Sequence, residues 1–455
     1  MGRLFGTDGV RGVANTELTC ELAMEIGRAA AEVLTLNSRT RSRVVVGMDT
    51  RMSSRMLCGA VCAGLCSVGA DVMILGEVPT PAVAFLVGKY KADAGVMISA
   101  SHNSAEFNGI KIFGGDGYKL PDVLEEKIEE IVLDRDKDSH EAAPVIGGDV
   151  GRVTLCDSAV KDYVDHLKST VMYSLEGIKV AVDCANGSAS VSARQLFEQL
   201  GAECSIINAT PDGVNINRDC GSTHMEALRE YVLEGGYDLG VAFDGDADRC
   251  LCVDDKGEFV DGDQIMAICA LDMKERGRLP KKAVVGTVMT NLGFIKFCEA
   301  NGLRFSATKV GDRFVLEEML QEGYVFGGEQ SGHLIFSDFA TTGDGQLSAI
   351  QLISLMRRKG QKLSQLASVM KRFPQKTVNV RVTADGKVSF YTMSDIKKAI
   401  NDAKNELGDN GRIVVRPSGT EPLIRVMVEG ENEEEISRIV DRVADVIRNR
   451  IGVKA

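Results

Sequence analysis

The same succession of secondary-structure signals occurs three times in this chain. Each copy has an apolar strand, a helix that ends near a glycine, a second strand and, further on, a third strand followed by a polar loop. The first strands of the three copies are RVVVGMDTR, KVAVDCANGS and KAVVGTVMTN, which begin at residues 43, 179 and 282. Near-continuous apolar strands that alternate with helices predict sheets covered by helices on both faces. The chain is therefore expected to contain three similar α/β domains with mixed or parallel sheets.

The last part of the chain follows a different order. After about Arg372 the pattern predicts strand, helix, strand, strand and a long amphipathic helix, at 377–382, 394–407, 411–415, 423–429 and 433–450. That order fits a smaller α+β domain. With 455 residues, of which 44% are hydrophobic, the chain can bury several cores. The predicted domains are 1–152, 153–254, 255–371 and 372–455.

Composition narrows the class of protein. A formal net charge of -12 argues against nucleic acid or an anionic membrane as a partner, because a polyanion gains nothing from an acidic surface. The twelve cysteines lack zinc-type spacing, and Cys58, Cys62 and Cys66 recur every four residues, which predicts a buried helix face. The apolar run 56–70 is shorter than the roughly 20 residues a bilayer requires. With no secretory signal in MGRLFGTDG, a cytoplasmic protein without a membrane partner is expected.

Ligands of such sheets bind beyond the carboxyl ends of the strands, so the loops after the third strands are the expected functional edge. One of these loops is DGDADR, which places Asp244, Asp246 and Asp248 at alternate positions directly after an apolar strand. Three carboxylates there can converge on one Mg²⁺ ion and would repel one another without a cation. An exposed acidic turn is the alternative. An EF-hand is excluded because Arg249 stands where that loop needs glycine.

A second loop, SASHNSAEFNG, carries Ser101 and His102. Serines in loops usually cap helices or form turns, and no G-x-S-x-G sequence is present here to indicate acyl transfer. A hydroxyl near a metal site, with Lys111 and Gly109 close in sequence, suits phosphoryl transfer instead. His102 either orients or exchanges a proton with a neighbouring group, or only forms hydrogen bonds within the loop.

Two further loops have the chemistry of ligand binding. RPSGTEP offers Arg416, Ser418 and Thr420 around Gly419, which indicates a phosphate-binding nest, although glycine and proline alone are also typical of a simple turn. GGEQSGH places carboxylate, amide and hydroxyl groups on a permissive backbone, the groups by which sugar hydroxyls are recognised.

In this order and spacing, the four loops resemble those of the α-D-phosphohexomutase family along essentially the whole chain. Within that family, the strings FGTDGVRG, VGTVMTNLG, KVGDRFV and GGEQSGH are most similar to the members that act on glucosamine phosphate. The resemblance implies that Ser101 is the serine phosphorylated in the active enzyme and that one Mg²⁺ per active site is bound by this phosphoserine together with Asp244, Asp246 and Asp248. It implies catalytic roles for Arg11, Lys111 and His102. Substrate contacts are implied for Arg249, Glu329, Ser331, His333, Arg416, Ser418, Gly419 and Thr420.

The implied reaction interconverts glucosamine 6-phosphate and glucosamine 1-phosphate, with glucosamine 1,6-bisphosphate as intermediate and activator. Its product would feed the synthesis of UDP-N-acetylglucosamine and cell-wall precursors. The only partner expected is a small phosphosugar, and the protein is expected to be a monomer or a homodimer.

Three alternatives stay open from the sequence. A phosphomannomutase or phosphoglucomutase would share most of these residues. An aspartyl-phosphate phosphatase would use Asp244 as nucleophile and Asp246 as acid, although such sites usually carry Thr or Val where Asp248 stands. A sugar-phosphate-binding module would use the same loops without turnover.

Overall fold

The computed structural model describes residues 2–35, 41–134, 145–418 and 422–453. Within these ranges the strands form four sheets. In the first three sheets the third strand of the sequence repeat lies beside the first strand, and the first lies beside the second, all parallel. After the third strand the chain turns back, and the strand that follows pairs with the third strand in antiparallel orientation. The prediction of three similar α/β domains is confirmed, and the sheets are mixed.

The first sheet has six strands in the order β1-β5-β4-β2-β3-β6. Its central strands are buried on both faces because helices cover both sides, as the apolar strand sequences predicted. The elements of this part are β1 (Val10–Val13), α1 (Cys20–Thr35), β2 (Arg43–Met48), α2 (Met52–Ser67), β3 (Asp71–Glu77), α3 (Thr80–Lys89), β4 (Ala94–Ile98), β5 (Phe107–Gly114), α4 (Asp122–Leu133) and β6 (Val153–Leu155).

The second sheet has five strands in the order β11-β10-β9-β7-β8, and the third has four in the order β13-β12-β14-β15. The second part contains α5 (Ala159–Thr170), β7 (Lys179–Asp183), α6 (Ala193–Gln199), β8 (Glu203–Ile207), α7 (Glu226–Gly235), β9 (Leu239–Phe243), β10 (Cys250–Asp254) and β11 (Phe259–Val260). The third contains α8 (Gly262–Glu275), β12 (Ala283–Thr287), α9 (Leu292–Ala300), β13 (Arg304–Thr308), α10 (Asp312–Glu322), β14 (Phe326–Gly328), β15 (Leu334–Phe336), α11 (Gly345–Lys359) and α12 (Leu363–Ala367).

The C-terminal part has a three-stranded antiparallel sheet in the order β16-β18-β17. Its elements are β16 (Gln375–Arg381), α13 (Ala384–Ser389), α14 (Ser394–Leu407), β17 (Gly411–Pro417), β18 (Leu423–Gly430) and α15 (Glu433–Ile451). The predicted smaller α+β domain is confirmed. The short helix α13 was not predicted, because its sequence ADGKVS contains glycine and a β-branched residue, both poor helix formers.

The apolar cores show how the parts are joined. One cluster runs through the first three α/β units and contains, for example, Val83, Phe243 and Phe326. The C-terminal unit has a separate core of its own. The described residues of the fourth unit take no part in the cluster that joins the first three. Polar contacts, such as Asn291 Nδ2 donating to Glu429 Oε1 at 3.2 Å, link the fourth unit to the third.

Three sequence predictions bear on these units. Cys58, Cys62 and Cys66 lie buried on α2, as expected for a helix face in the core. In the described part of the chain no helix combines the length and the apolar character needed to span a bilayer. The domain boundaries at 152, 254 and 371 remain a prediction. Strand β6, which pairs with β3 of the first sheet, lies just beyond the first boundary. Strand β11, which pairs with β10 of the second sheet, lies just beyond the second boundary.

Candidate active site

The loops after the third strands of the first two sheets meet at Ser101. This serine follows β4 and has a φ of 52°, in the left-handed region that residues with a side chain rarely adopt. The conformation is held by donors from two sides, because Arg51 Nη2 donates to the Ser101 carbonyl at 3.1 Å and Asn217 Nδ2 donates to it at 2.9 Å. A Cβ on Gly245 would lie 2.6 Å from that same carbonyl, so only glycine permits this approach.

The Ser101 hydroxyl points at the aspartate loop of the second sheet. Its Oγ donates a 2.6 Å hydrogen bond to Asp244 Oδ2, and both residues are buried. His102 Nδ1 lies 3.4 Å from the same Oγ. Burial, reinforced by the cations Arg249 and Arg11, lowers the pKa of His102 to about 4, so the imidazole is neutral at neutral pH.

The three aspartates of DGDADR form a compact group. Ligand oxygens of Asp244, Asp246 and Asp248 all lie within 4.8 Å of one another, and the three residues are buried. Burial, and then repulsion from Asp248 and Asp246, raises the pKa of Asp244 well above its ordinary value. Oδ1 of Asp246 and Oδ1 of Asp248 are buried without a hydrogen-bond donor. Orphaned carboxylate oxygens in a converging group fit a hard divalent cation.

Basic side chains surround this group. Lys111, which is buried, lies with Nζ 2.8 Å from Asp246 Oδ2 and 2.9 Å from Asp8 Oδ2. Burial works against its charge, but Asp246 and Asp8 outweigh burial and raise its pKa, so Lys111 is an ammonium. Arg11 forms an ion pair with Asp8, and the Arg249 amide donates to Asp244 Oδ1 at 3.2 Å. The site thus alternates fixed positive and negative charges around Ser101.

The loop after the third strand of the third sheet closes the arrangement. Glu329 Oε1 accepts a hydrogen bond from the Gly311 amide at 3.1 Å. His333 is buried, and its Nδ1 lies 3.5 Å from Asp248 Oδ2. The Gly343 amide donates to His333 Nε2 at 3.1 Å, so the ring proton of the neutral imidazole sits on Nδ1, facing Asp248. The Ser331 hydroxyl oxygen is buried without a hydrogen-bond partner.

These loops line a cavity of about 700 Å³. Its walls come from the first three units, and among the described residues that line it none belongs to the C-terminal unit. The predicted residues that line it are Arg11, His102, Asp248, Arg249, Glu329 and His333.

The predicted phosphate loop lies apart from this cavity. Arg416 on β17 is directly opposite Arg425 on β18, which places two guanidinium groups on one face of the sheet. Burial, and then the charge of Arg425, lowers the pKa of Arg416, and two cationic side chains this close together suit an anion. Ser418 is buried beside it. The predicted residues Gly419 and Thr420 lie outside the described residues.

Several residues of the site were not singled out from the sequence. Asp8, which pairs with Lys111, stands in the FGTDG string and could have been found there. Thr80 donates to Asp246 Oδ2 at 2.5 Å, and Asp312 pairs with Lys119 at 2.5 Å. Those two contacts cross between sheets, so no local pattern indicates them. Arg51 and Asn217, which hold the Ser101 backbone, are likewise brought in from other loops.

Four family models match the chain. They describe the α/β/α domains I, II and III and the C-terminal domain of phosphoglucomutase/phosphomannomutase, over residues 2–139, 161–257, 261–373 and 378–446. Fold and site together define a phosphohexomutase, an isomerase with four domains. The chain belongs to the phosphoglucomutase/phosphomannomutase family.

Full-length relatives refine this assignment. The chain is 52% identical over 452 residues to a phosphoglucosamine mutase of Acetivibrio thermocellus, with 99% of this chain and 100% of that protein covered. It is 51% identical over 451 residues to a phosphoglucosamine mutase of Clostridium novyi, with 99% of each covered.

Solved structures share the fold. A phosphoglucomutase/phosphomannomutase family protein from Burkholderia thailandensis superposes with a TM-score of 0.82 at 22% identity, covering 99% of this chain and 98% of that one. The N-acetylphosphoglucosamine mutase of Aspergillus fumigatus, in complex with GlcNAc-6P and magnesium, gives a TM-score of 0.69 at 16% identity over 99% and 96% of the two chains.

Proposed function

We propose that this protein interconverts glucosamine 6-phosphate and glucosamine 1-phosphate through a phosphoserine at Ser101 and a 1,6-bisphosphate intermediate. The observation that carries the proposal is the 2.6 Å hydrogen bond from Ser101 Oγ to Asp244, inside a converging trio of aspartates. Relatives about half identical over their full length, which are named phosphoglucosamine mutases, support the choice of sugar.

Asp244, Asp246 and Asp248 would hold one Mg²⁺ together with the phosphate on Ser101. The two orphaned Oδ1 atoms of Asp246 and Asp248 support this ligand set, because a cation would satisfy them. When bound, Mg²⁺ supplies positive charge that offsets the charge of the phosphoryl group in transfer.

In the transfer, the bond from phosphorus to Ser101 Oγ breaks as a bond from phosphorus to a sugar hydroxyl forms. That hydroxyl loses its proton, and Ser101 Oγ takes up a proton as the first transfer ends. In the second transfer Ser101 Oγ gives up that proton again as it accepts the phosphoryl group from the other end of the bisphosphate. Lys111 and Arg11 lie beside the trio and stabilise the negative oxygens of the phosphoryl group. His102, neutral and 3.4 Å from Ser101 Oγ, is placed to orient the serine or to exchange a proton with it.

The other phosphate of the sugar requires a separate binding site. Arg416 and Ser418, with Gly419 and Thr420, would bind it, and the paired guanidinium groups of Arg416 and Arg425 supply the charge. Glu329 and Ser331 would contact sugar hydroxyls, while Arg249 and His333 line the wall between sugar and metal. After the first transfer the bisphosphate reorients, so that its two phosphates exchange places between the site at Ser101 and the site at Arg416. The second transfer then returns a phosphoryl group to Ser101.

The test is a coupled isomerisation assay with Mg²⁺ and catalytic bisphosphate on the 6-phosphates of glucosamine, glucose and mannose. We expect kcat/KM to be highest for the glucosamine substrate, and Ser101→Ala to abolish turnover on all three. A higher kcat/KM for mannose or glucose phosphate would replace the proposal with a phosphomannomutase or phosphoglucomutase activity. Unchanged turnover by the Ser101→Ala variant would remove the role of the phosphoserine.

A further inference from the structure

Four acidic residues line the cavity, together with the basic residues Arg11 and Arg249. Its lining includes the carboxylates of Asp8, Asp248, Asp312 and Glu329. Asp8 has cations at both of its oxygens, because Arg11 and Lys111 contact Oδ2 and Lys119 contacts Oδ1, whereas Lys119 contacts Asp312 at Oδ2 alone. Asp248 belongs to the aspartate trio. The two carboxylates left to face a substrate both belong to the third unit.

Asp312 and Glu329 are joined by one backbone contact. The Gly311 amide, directly before Asp312, donates to Glu329 Oε1 at 3.1 Å. Asp312 has a defined pose, since Lys119 Nζ lies 2.5 Å from its Oδ2 and His333 Nε2 lies 3.6 Å from the same atom. No hydrogen bond from the described residues reaches Asp312 Oδ1, and that oxygen belongs to a residue on the cavity wall.

The two carboxylates differ in their partners. Burial opposes the ionisation of Asp312, but Lys119 outweighs burial and lowers its pKa, so it stays anionic. Burial, and then the charge of Asp312, raises the pKa of Glu329. No cation of the described residues forms an ion pair with Glu329. Asp312 is held as a carboxylate by Lys119 at 2.5 Å from Oδ2, and its Oδ1, on a residue of the cavity wall, receives no hydrogen bond from the described residues, so we take Asp312 as the group suited to a cationic substituent.

We propose that Asp312 is a specificity-determining residue that binds the protonated 2-amino group of the sugar. The inference rests on the proposed function. It adds to that function the side chain by which the protein would distinguish an aminosugar phosphate from a neutral hexose phosphate. A charge-assisted hydrogen bond from ammonium to carboxylate is stronger than the hydroxyl contact that a neutral sugar would make. Its loss should reduce the preference for glucosamine by about tenfold or more.

The experiment measures kcat/KM of the wild type and Asp312→Asn for glucosamine 6-phosphate and glucose 6-phosphate, and compares the ratio of the two values. We expect the ratio to fall by about tenfold or more in Asp312→Asn, mainly through the glucosamine substrate. The control is Asp338→Asn, an exposed carboxylate of the same unit that pairs with Arg278 at 3.5 Å and should keep the wild-type ratio. Lys119→Gln, which keeps Asp312 but removes its lysine partner, should still prefer glucosamine.

A second readout depends on the charge of the substrate. In the wild type the ratio should decline as the pH rises past the pKa of the sugar amine, whereas in Asp312→Asn it should be flat. If Asp312→Asn has no measurable turnover, equilibrium binding of the two monophosphates gives the same ratio, and circular dichroism checks folding.

The two possible failures are distinct. A folded Asp312→Asn protein with an unchanged preference, or with equal losses on both sugars, would overturn the role of Asp312 while leaving the proposed function in place. A wild type that turns over glucose 6-phosphate as well as glucosamine 6-phosphate would instead refute the proposed function, and this inference with it.

Discussion

Ser101 Oγ and Asp244 Oδ2 are 2.6 Å apart, although 143 residues separate them in the chain and they follow the third strands of different sheets. The contact exists because each third strand ends at the same kind of edge and the first two sheets share an apolar core. A hydroxyl at one edge is thereby presented to carboxylates at another. The central mechanistic claim depends on this relationship.

The Mg²⁺ proposed for the aspartate trio should make the stability of the protein depend on that ion. An ion that binds only the folded state at a hundredfold excess over Kd adds about 2.7 kcal/mol to the free energy of unfolding. We expect Mg²⁺ to raise the Tm of the wild type and to leave that of Asp246→Asn nearly unchanged, since this substitution removes one ligand. Differential scanning calorimetry with and without Mg²⁺ measures both. An equal rise in the two proteins would place the bound ion elsewhere.

Arg51 should affect the rate of catalysis more than substrate binding. Its Nη2 donates to the carbonyls of Ser101 at 3.1 Å and Asn103 at 2.6 Å while Nη1 pairs with Asp49, and the single ammonium of lysine cannot reach both sides. We expect Arg51→Lys to lower kcat about 100-fold with little change in KM, because small misplacements of a reacting group are costly. The control is Arg55→Lys on α2, the helix that Arg51 precedes, and the exposed side chain of Arg55 pairs with Glu77. Similar kinetics for the two variants would contradict this role.

Asp344 should give the stability of the protein a pH dependence. Its side chain caps the N-terminus of α11 and accepts hydrogen bonds from the Tyr163 hydroxyl. The carboxyl group is buried in the protein, and this burial raises its pKa to about 7. That folded-state pKa exceeds the ordinary value near 4, so ionisation destabilises the fold progressively as the pH rises and fully above about pH 7. Asparagine also caps helices but carries no charge.

Asp344→Asn should therefore gain stability relative to the wild type between pH 5 and pH 8, by about 2–3 kcal/mol. Thermal or urea unfolding at the two pH values measures the difference. A constant difference between the two proteins across this range would show that Asp344 does not titrate there.

The C-terminal unit should move toward the cavity when substrate binds. Arg416 and Ser418 are outside the cavity wall, and their unit has its own core with polar contacts at the junction, such as Asn291 with Glu429. Binding of one sugar bisphosphate by both phosphate sites requires closure, which also excludes water from the reaction. Small-angle X-ray scattering should show a smaller radius of gyration with bisphosphate. Identical profiles with and without ligand would count against closure.

Much of this architecture was predictable because the strands are apolar throughout and the repeat is regular. The helix predicted at 394–407 is α14 with the same ends, since its sequence is strongly amphipathic. Ser101 and the three aspartates could be singled out because these polar residues come directly after apolar strands, where the loops of a sheet edge bind ligands. What local patterns could not supply are contacts between units, such as Lys119 with Asp312. Those contacts depend on how separate sheets pack together.

The most direct measurement of the central claim is the position of the phosphoryl group on the protein. The wild type would be incubated with glucose or glucosamine 1,6-bisphosphate, digested, and analysed by mass spectrometry with and without hydroxylamine, which cleaves acyl phosphates but not phosphoserine. We expect one hydroxylamine-resistant phosphoryl group on Ser101 that is lost on addition of excess sugar monophosphate. A hydroxylamine-sensitive phosphoryl group on Asp244, or turnover without any phosphate on Ser101, would contradict the mechanism.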